Sequence, residues 1–263
     1  MTHAPNKQLQ RGFSLLELLI VMAILTIVMG GIFQMMDNAQ RRYAVEDTKL
    51  DLTQQSREFL DQVSRDLRQS GFPTLKMFQA VPTGGINSNK VAAGLVRVSR
   101  SDIWFEGDVD EDGVVNVVRY TLTSGTCPCR IGRSQIAKVD GTAPSAQNPA
   151  GAYNLEVERV LNSYGAGNSP LTISGNTFGL SNDTLYASFK AAPVFTFYDL
   201  NGSEITTNIP NDLATAGTGM DAVTLASIRS IKVTLNTMST TIDTQTRRAP
   251  AVSMQVTVRV GNQ

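Results

Sequence analysis

Histidine is almost missing from this chain of 263 residues, with His3 the sole example. That scarcity removes the usual general base, and with it the serine and cysteine nucleophile arrangements that depend on imidazole. Cysteine is nearly as rare, with only Cys127 and Cys129 present. Two thiols without nearby histidines fall short of a tetrahedral zinc set. Charge is sparse and balanced: charged residues make up 17%, the formal net charge is zero and the pI is near 6.6. Such a chain has no basic field to draw nucleic acid non-specifically. There is no glycine-rich phosphate loop ahead of a helix, no nucleophile elbow, and no internal repeat or low-complexity tract. No catalytic constellation is legible, so the chain does not read as an enzyme.

Long apolar runs are not lacking. Phe13 to Phe33 is 21 residues, broken by a single carboxylate, Glu17. As a helix it spans roughly 31 Å, about one hydrocarbon core. A charge inside such a segment is costly and therefore points to function. Lys7 and Arg11 precede the run, which places residues 1–12 on the cytoplasmic side and the rest beyond the membrane. Arg41 and Arg42 on the far side work against this asymmetry. An ordinary secretory signal would need a small-residue cleavage site after the run, and Met29-Gly30-Gly31 is a poor one. It would also give no reason for Glu17.

Residues 34–70 continue as a proline-free helix. Leu52, Phe59, Leu60, Val63 and Leu67 fall on one helical stripe, with Arg57, Asp61 and Arg65 as i,i+4 partners on another face. Gly71-Phe72-Pro73 is the expected stop. The whole element is about 58 residues, or roughly 87 Å if straight. Gly30-Gly31 is either a weak point in it or a place of close packing against a neighbour.

Beyond Pro73 lies a head, residues 71–263, rich in β-like runs. Strands are expected at Leu95–Ser99, Asp102–Glu106, Val114–Thr123, Val194–Tyr198, Ile228–Asn236 and Val252–Val260. Trp104 and Phe105 read as core. Residues 140–185 read as long loops with one short helix near Leu155–Leu161. The fold class is thus α+β, a long N-terminal helix packed on an antiparallel sheet with long loops.

Arg11-Gly-Phe-Ser-Leu-Leu-Glu-Leu18 behind a short polar leader resembles the class III signal of type IV pilins and type II secretion pseudopilins. The head adds three stretches in order. They are Ile103-Trp-Phe105 with Asp108 to Gly113 and Val118-Arg-Tyr120, then Val194 to Gly202, then Ile228 to Leu235 ahead of a last strand at Val256–Val260. These resemble PilW-type minor pilins and J-type (GspJ-like) pseudopilins. The resemblance implies cleavage between Gly12 and Phe13, N-methylation of Phe13, and pairing of Glu17 with the Phe13 amine of a neighbouring subunit. Snorkelling of Glu17 to the interface is the alternative. It implies a minor pilin near the tip that primes or caps a type IV pilus. Its alternatives are a tip pseudopilin of type II secretion, or an adhesive or DNA-capturing tip module. The implied partners are other pilins or pseudopilins, the prepilin peptidase and the inner-membrane assembly platform, with the head in the periplasm and no nucleic acid.

Two further motifs stay open. Cys127 and Cys129 flank Pro128 beyond the membrane, where an oxidising compartment favours a tight loop disulfide; separate thiols or a redox pair are the alternatives. Asp108, Asp110, Asp112 and Asn116, with Gly113, have the alternating oxygen spacing of a calcium loop. Arg119 stands at the twelfth position, where an EF-hand needs a carboxylate, and an acidic hairpin turn is the other reading. Tyr198 to Gly202 reads as a second, structural acidic turn. No cofactor other than this possible calcium is expected.

Overall fold

The computed structural model describes residues 14–123, 129–149, 153–162, 172–173, 176–177, 184–211, 222–239 and 248–260. Helix α1, Leu15–Gln69, crosses two units of the chain, residues 1–47 and 48–263. In the first unit every described residue from Ser14 to Ala44 is exposed. In the second unit the expected stripe is the buried face: Leu52, Phe59, Leu60, Val63 and Leu67 are all 5% exposed or less. Arg57, Asp61 and Arg65 face solvent, and Arg65 donates to Gln62 Oε1 at 2.9 Å. Among the described residues no ion pair joins the three. The helix ends where expected, with Gly71 in the left-handed region at φ 81°.

The stripe packs on an eight-stranded antiparallel sheet. Its strands are β1 (Leu95–Val98), β2 (Asp102–Gly107), β3 (Asn116–Thr123), β4 (Cys129–Ala137), β5 (Asn154–Val160), β8 (Phe195–Tyr198), β9 (Ser230–Met238) and β10 (Ala251–Arg259). The order is β1-β2-β3-β4-β5-β9-β10, with β8 also pairing with β9. A small hairpin, β6 (Thr172–Ile173) with β7 (Asn176–Thr177), and two short helices, α2 (Thr184–Ala191) and α3 (Ala222–Ser227), complete the described elements.

Period-two alternation explains how the sheet divides its residues. Ile103 and Phe105 of β2, with Val118, Tyr120 and Leu122 of β3, join Phe59, Leu60, Val63 and Leu67 in the main core. Phe59 and Tyr120 meet edge to face, with ring centroids 5.9 Å apart. Trp104 and Val117 point the other way and form a second cluster with Val96. Polar groups lock the same interface. Asp66 on the buried face of α1 accepts from the Tyr120 hydroxyl at 2.6 Å and from Arg133 Nε at 2.8 Å.

Three expectations change. Leu155–Leu161 is not a helix: β5 occupies Asn154–Val160. Its pairing with β4 shifts register twice, and Arg159 adopts φ 63°, so the hydrophobic spacing of Leu155, Val157, Val160 and Leu161 departs from simple alternation. Strand β4 was not expected at all, because Arg130, Gly132, Arg133 and Gln135 interrupt its apolar residues. The third strand starts at Asn116 rather than Val114, since the preceding acidic turn takes the first two residues.

Behind the second cluster, Lys138 and Glu106 form a fully buried ion pair at 2.7 Å. Lys138 also donates to the carbonyls of Ile86 and Val91, and Glu106 accepts from Ala93 N–H, so the pair pins the 84–93 loop to the sheet. Burial raises the Glu106 pKa, and Lys138 opposes that shift. Removing only the cation leaves a dry carboxylate. Lys138→Met is therefore expected to destabilise the head by about 3–5 kcal/mol in denaturant unfolding. The double variant Lys138→Met/Glu106→Gln should lose less; equal losses would refute the pairing.

Candidate functional site

Two places gather the residues singled out by sequence. The first is the start of α1. Gly12 and Phe13 lie outside the described residues. The first turn closes through the Ser14 carbonyl, which accepts from the N–H groups of Glu17 and Leu18 at 3.0 and 3.2 Å. Glu17 sits exposed in that turn, where a carboxylate also suits the helix N-terminus. From Leu18 to Met36 no charged residue follows. Leu15 is 80% exposed, Ile27 76% and Met35 77%. A helix apolar on all sides and covered on none requires lipid or other helices around it. It is long and apolar enough to cross a membrane. Helix α1 runs unbroken through Gly30 and Gly31, and a Cβ at either would meet nothing within 4 Å in the protomer.

The second place is the turn between β2 and β3. One carboxylate oxygen each of Asp108, Asp110 and Asp112 lies within 4.8 Å of the other two. Asp108 is buried, and Asp110 and Asp112 are exposed. Glu111 at φ 58° and Gly113 at φ 83° provide the left-handed positions of the turn. Gly113 N–H donates to Asp108 Oδ2 and Val114 N–H to Asp112 Oδ1. Asn116 is brought to the same turn, where its Nδ2 donates to Asp110 Oδ1 at 2.6 Å and its Oδ1 accepts from Gln135. Arg119, at the EF-hand's twelfth position, is engaged with Asp102 through two nitrogens. The Tyr198–Gly202 stretch is the expected structural turn, with Asp199 Oδ1 accepting from Asn201 and Ser203 N–H.

Cys127 lies outside the described residues. Cys129 opens β4 and is buried in the main core. Sequence reasoning missed the Asp66–Tyr120–Arg133 cluster. Its signal was present, since Asp66 stands seven residues after Phe59 and next to Leu67 on the buried stripe.

Residues 7–33 match the family described as the prokaryotic N-terminal methylation motif. The match supports a type IV pilin-like protein. It implies, in general terms, assembly with other pilins and processing by a prepilin peptidase, and with the apolar helix it is consistent with membrane anchoring. The match ends at Phe33 and does not reach the head. No curated protein and no solved structure matches the chain.

The acidic turn is held against the end of α1. Gly71 N–H donates to the Glu106 carbonyl and Asp108 N–H to the Phe72 carbonyl, at 2.8 and 2.9 Å. Gly107 makes this approach possible, because a Cβ there would stand 2.4 Å from the Gln69 carbonyl oxygen. Gly107→Ala is expected to lower stability by about 1–3 kcal/mol, since backbone must move to admit the methyl. Thermal unfolding reads this directly, and a midpoint matching the parent would refute the close approach.

Proposed function

We propose that this protein is a minor pilin, a structural subunit that helps initiate or cap type IV pilus assembly near the tip. The observation that carries the reading is the start of α1. A prepilin-type motif leads into a helix that is apolar on every side, with one carboxylate in its first turn. Cleavage after Gly12 would make Phe13 the methylated N-terminus and place Glu17 at mature position five. In lipid, helix association gains little from hydrophobicity, so a Glu17–amine pair between subunits would set register. The head, residues 71–263, is large, which suits an end position better than a repeating shaft. The N-terminus would face the cytoplasm and the head the periplasm before assembly, with the inner-membrane platform as partner. A structural role also fits a chain whose buried carboxylates Asp66, Asp102 and Glu106 are held by cations in ion pairs.

The direct test is to count surface pili after deleting the gene. Loss of pili restored by the wild-type gene is the expected result. Normal pili with impaired type II secretion would instead favour a pseudopilin, which shares the same N-terminal motif. A second expectation concerns Glu17→Ala. Processing, read by the size of the chain on gels, should proceed, while recovery of the variant in sheared pili should fall severalfold or more. Wild-type incorporation would rule out the register role.

A further inference from the structure

The three carboxylates of the β2–β3 turn carry like charge within one small space, and among the described residues none of them is ion-paired. Elsewhere in the head the buried acids have cations: Asp66 has Arg133, Asp102 has Arg119 and Glu106 has Lys138. At the turn the neighbours are backbone N–H groups and the amides of Asn116 and Gln135. Hydrogen bonds of this kind orient carboxylates but leave the summed charge in place.

A separate observation concerns Asp108. The residue is 7% exposed, and its Oδ1 is buried with no hydrogen-bond partner. A buried carboxylate oxygen without a donor bears its full desolvation cost. Its carboxylate belongs to the same cluster as the exposed Asp110 and Asp112. An orphaned anionic oxygen beside two more anions is what a cation would satisfy.

We propose that the β2–β3 turn is a calcium site, with Asp108, Asp110 and Asp112 as its protein ligands and Asn116 and Gln135 positioning Asp110. Three hard oxygen donors suit a hard cation, and two oxygens on opposite sides of a Ca²⁺ stand about 4.6–5.2 Å apart. The observed spread within 4.8 Å therefore needs little movement. Mg²⁺ holds its ligands closer and gives up its water reluctantly, so the same turn serves it poorly. Arg119 excludes the EF-hand's bidentate acid, which leaves part of the coordination shell to water and the affinity in the weak class. The site needs nothing from the apolar helix, so it stands whether or not the chain joins a pilus. Its effect would be to stiffen the junction where Asp108 N–H meets the Phe72 carbonyl, just past the end of α1.

The test uses the full chain in detergent micelles, stripped with chelator, then titrated with CaCl₂ by calorimetry and thermal unfolding. A Kd of about 10⁻⁴–10⁻³ M is expected. At tenfold excess over Kd the unfolding midpoint should rise by about 3–6 °C. Asp112→Asn preserves the acceptor for Val114 N–H while removing one charge, and Asp110→Asn provides a second exposed variant. Each, with circular dichroism like the parent, should bind at least about tenfold more weakly. Absence of heat and of any midpoint shift up to about 10 mM CaCl₂ would overturn the site. So would an equal shift with MgCl₂, or unchanged Ca²⁺ affinity in both variants.

Discussion

The head depends on one docking event, the burial of a single stripe of α1 on one face of its sheet. Leu52, Phe59, Leu60, Val63 and Leu67 are buried along about four turns of the helix, and Phe59 to Leu67 enter the main core. Each fully buried side chain of this size contributes about 1.5–3 kcal/mol of hydrophobic stabilisation before entropy is charged against it. The stripe also carries Asp66, whose bonds to Tyr120 and Arg133 allow one rotation and one depth of the helix. Apolar contact alone would tolerate sliding by a turn. A buried carboxylate with two fixed donors would not, because any slip leaves it unpaired.

That docking explains why sequence revealed some elements and hid others. The α1 stripe was legible because a helix facing a sheet must repeat its apolar residues every three to four positions. Strands β2 and β3 were legible for the matching reason. Their alternation is preserved by unbroken antiparallel register with one another, from Asp102 opposite Thr121 to Gly107 opposite Asn116. Strand β5 was hidden by its irregularity. Two register shifts and the left-handed Arg159 bring Val157 and Val160 inward at a spacing of three, which mimics a helix. Strand β4 was hidden by its partners, for Arg133 is polar yet reaches inward to Asp66.

The candidate sites divide along the same line. Glu17 could be read at once because it is the single charge in an otherwise apolar run. The acidic turn could be read as a spacing, but not as a geometry. Sequence placed Asn116 among the oxygen donors, whereas its amide is turned to Asp110 and its oxygen to Gln135. Gln135 could not have been found from spacing, since it arrives from β4, nineteen residues away in sequence. Gly107 was equally silent, as its need for a bare Cα arises from Gln69 of α1.

The acids of the head fall into two groups, those held in buried ion pairs and those clustered in the β2–β3 turn. Burial raises the pKa values of Asp102 and Glu106, and Arg119 and Lys138 push against that rise. Asp102 is thus matched to Arg119 of the adjacent strand β3, and Glu106 to Lys138 just past the end of β4. The pairs tie separate parts of the sheet to one another. The acidic turn follows the opposite rule. Its acids stand at alternate positions in sequence, share no cation among the described residues, and lie in a turn bonded to the chain just past the end of α1. Clustering of this kind raises the electrostatic energy of the fold. Hydrogen bonds from Gly113, Val114, Asn116 and Gln135 offset part of that cost, and the proposed cation would offset more of it beside the Asp108 oxygen that is buried without a donor.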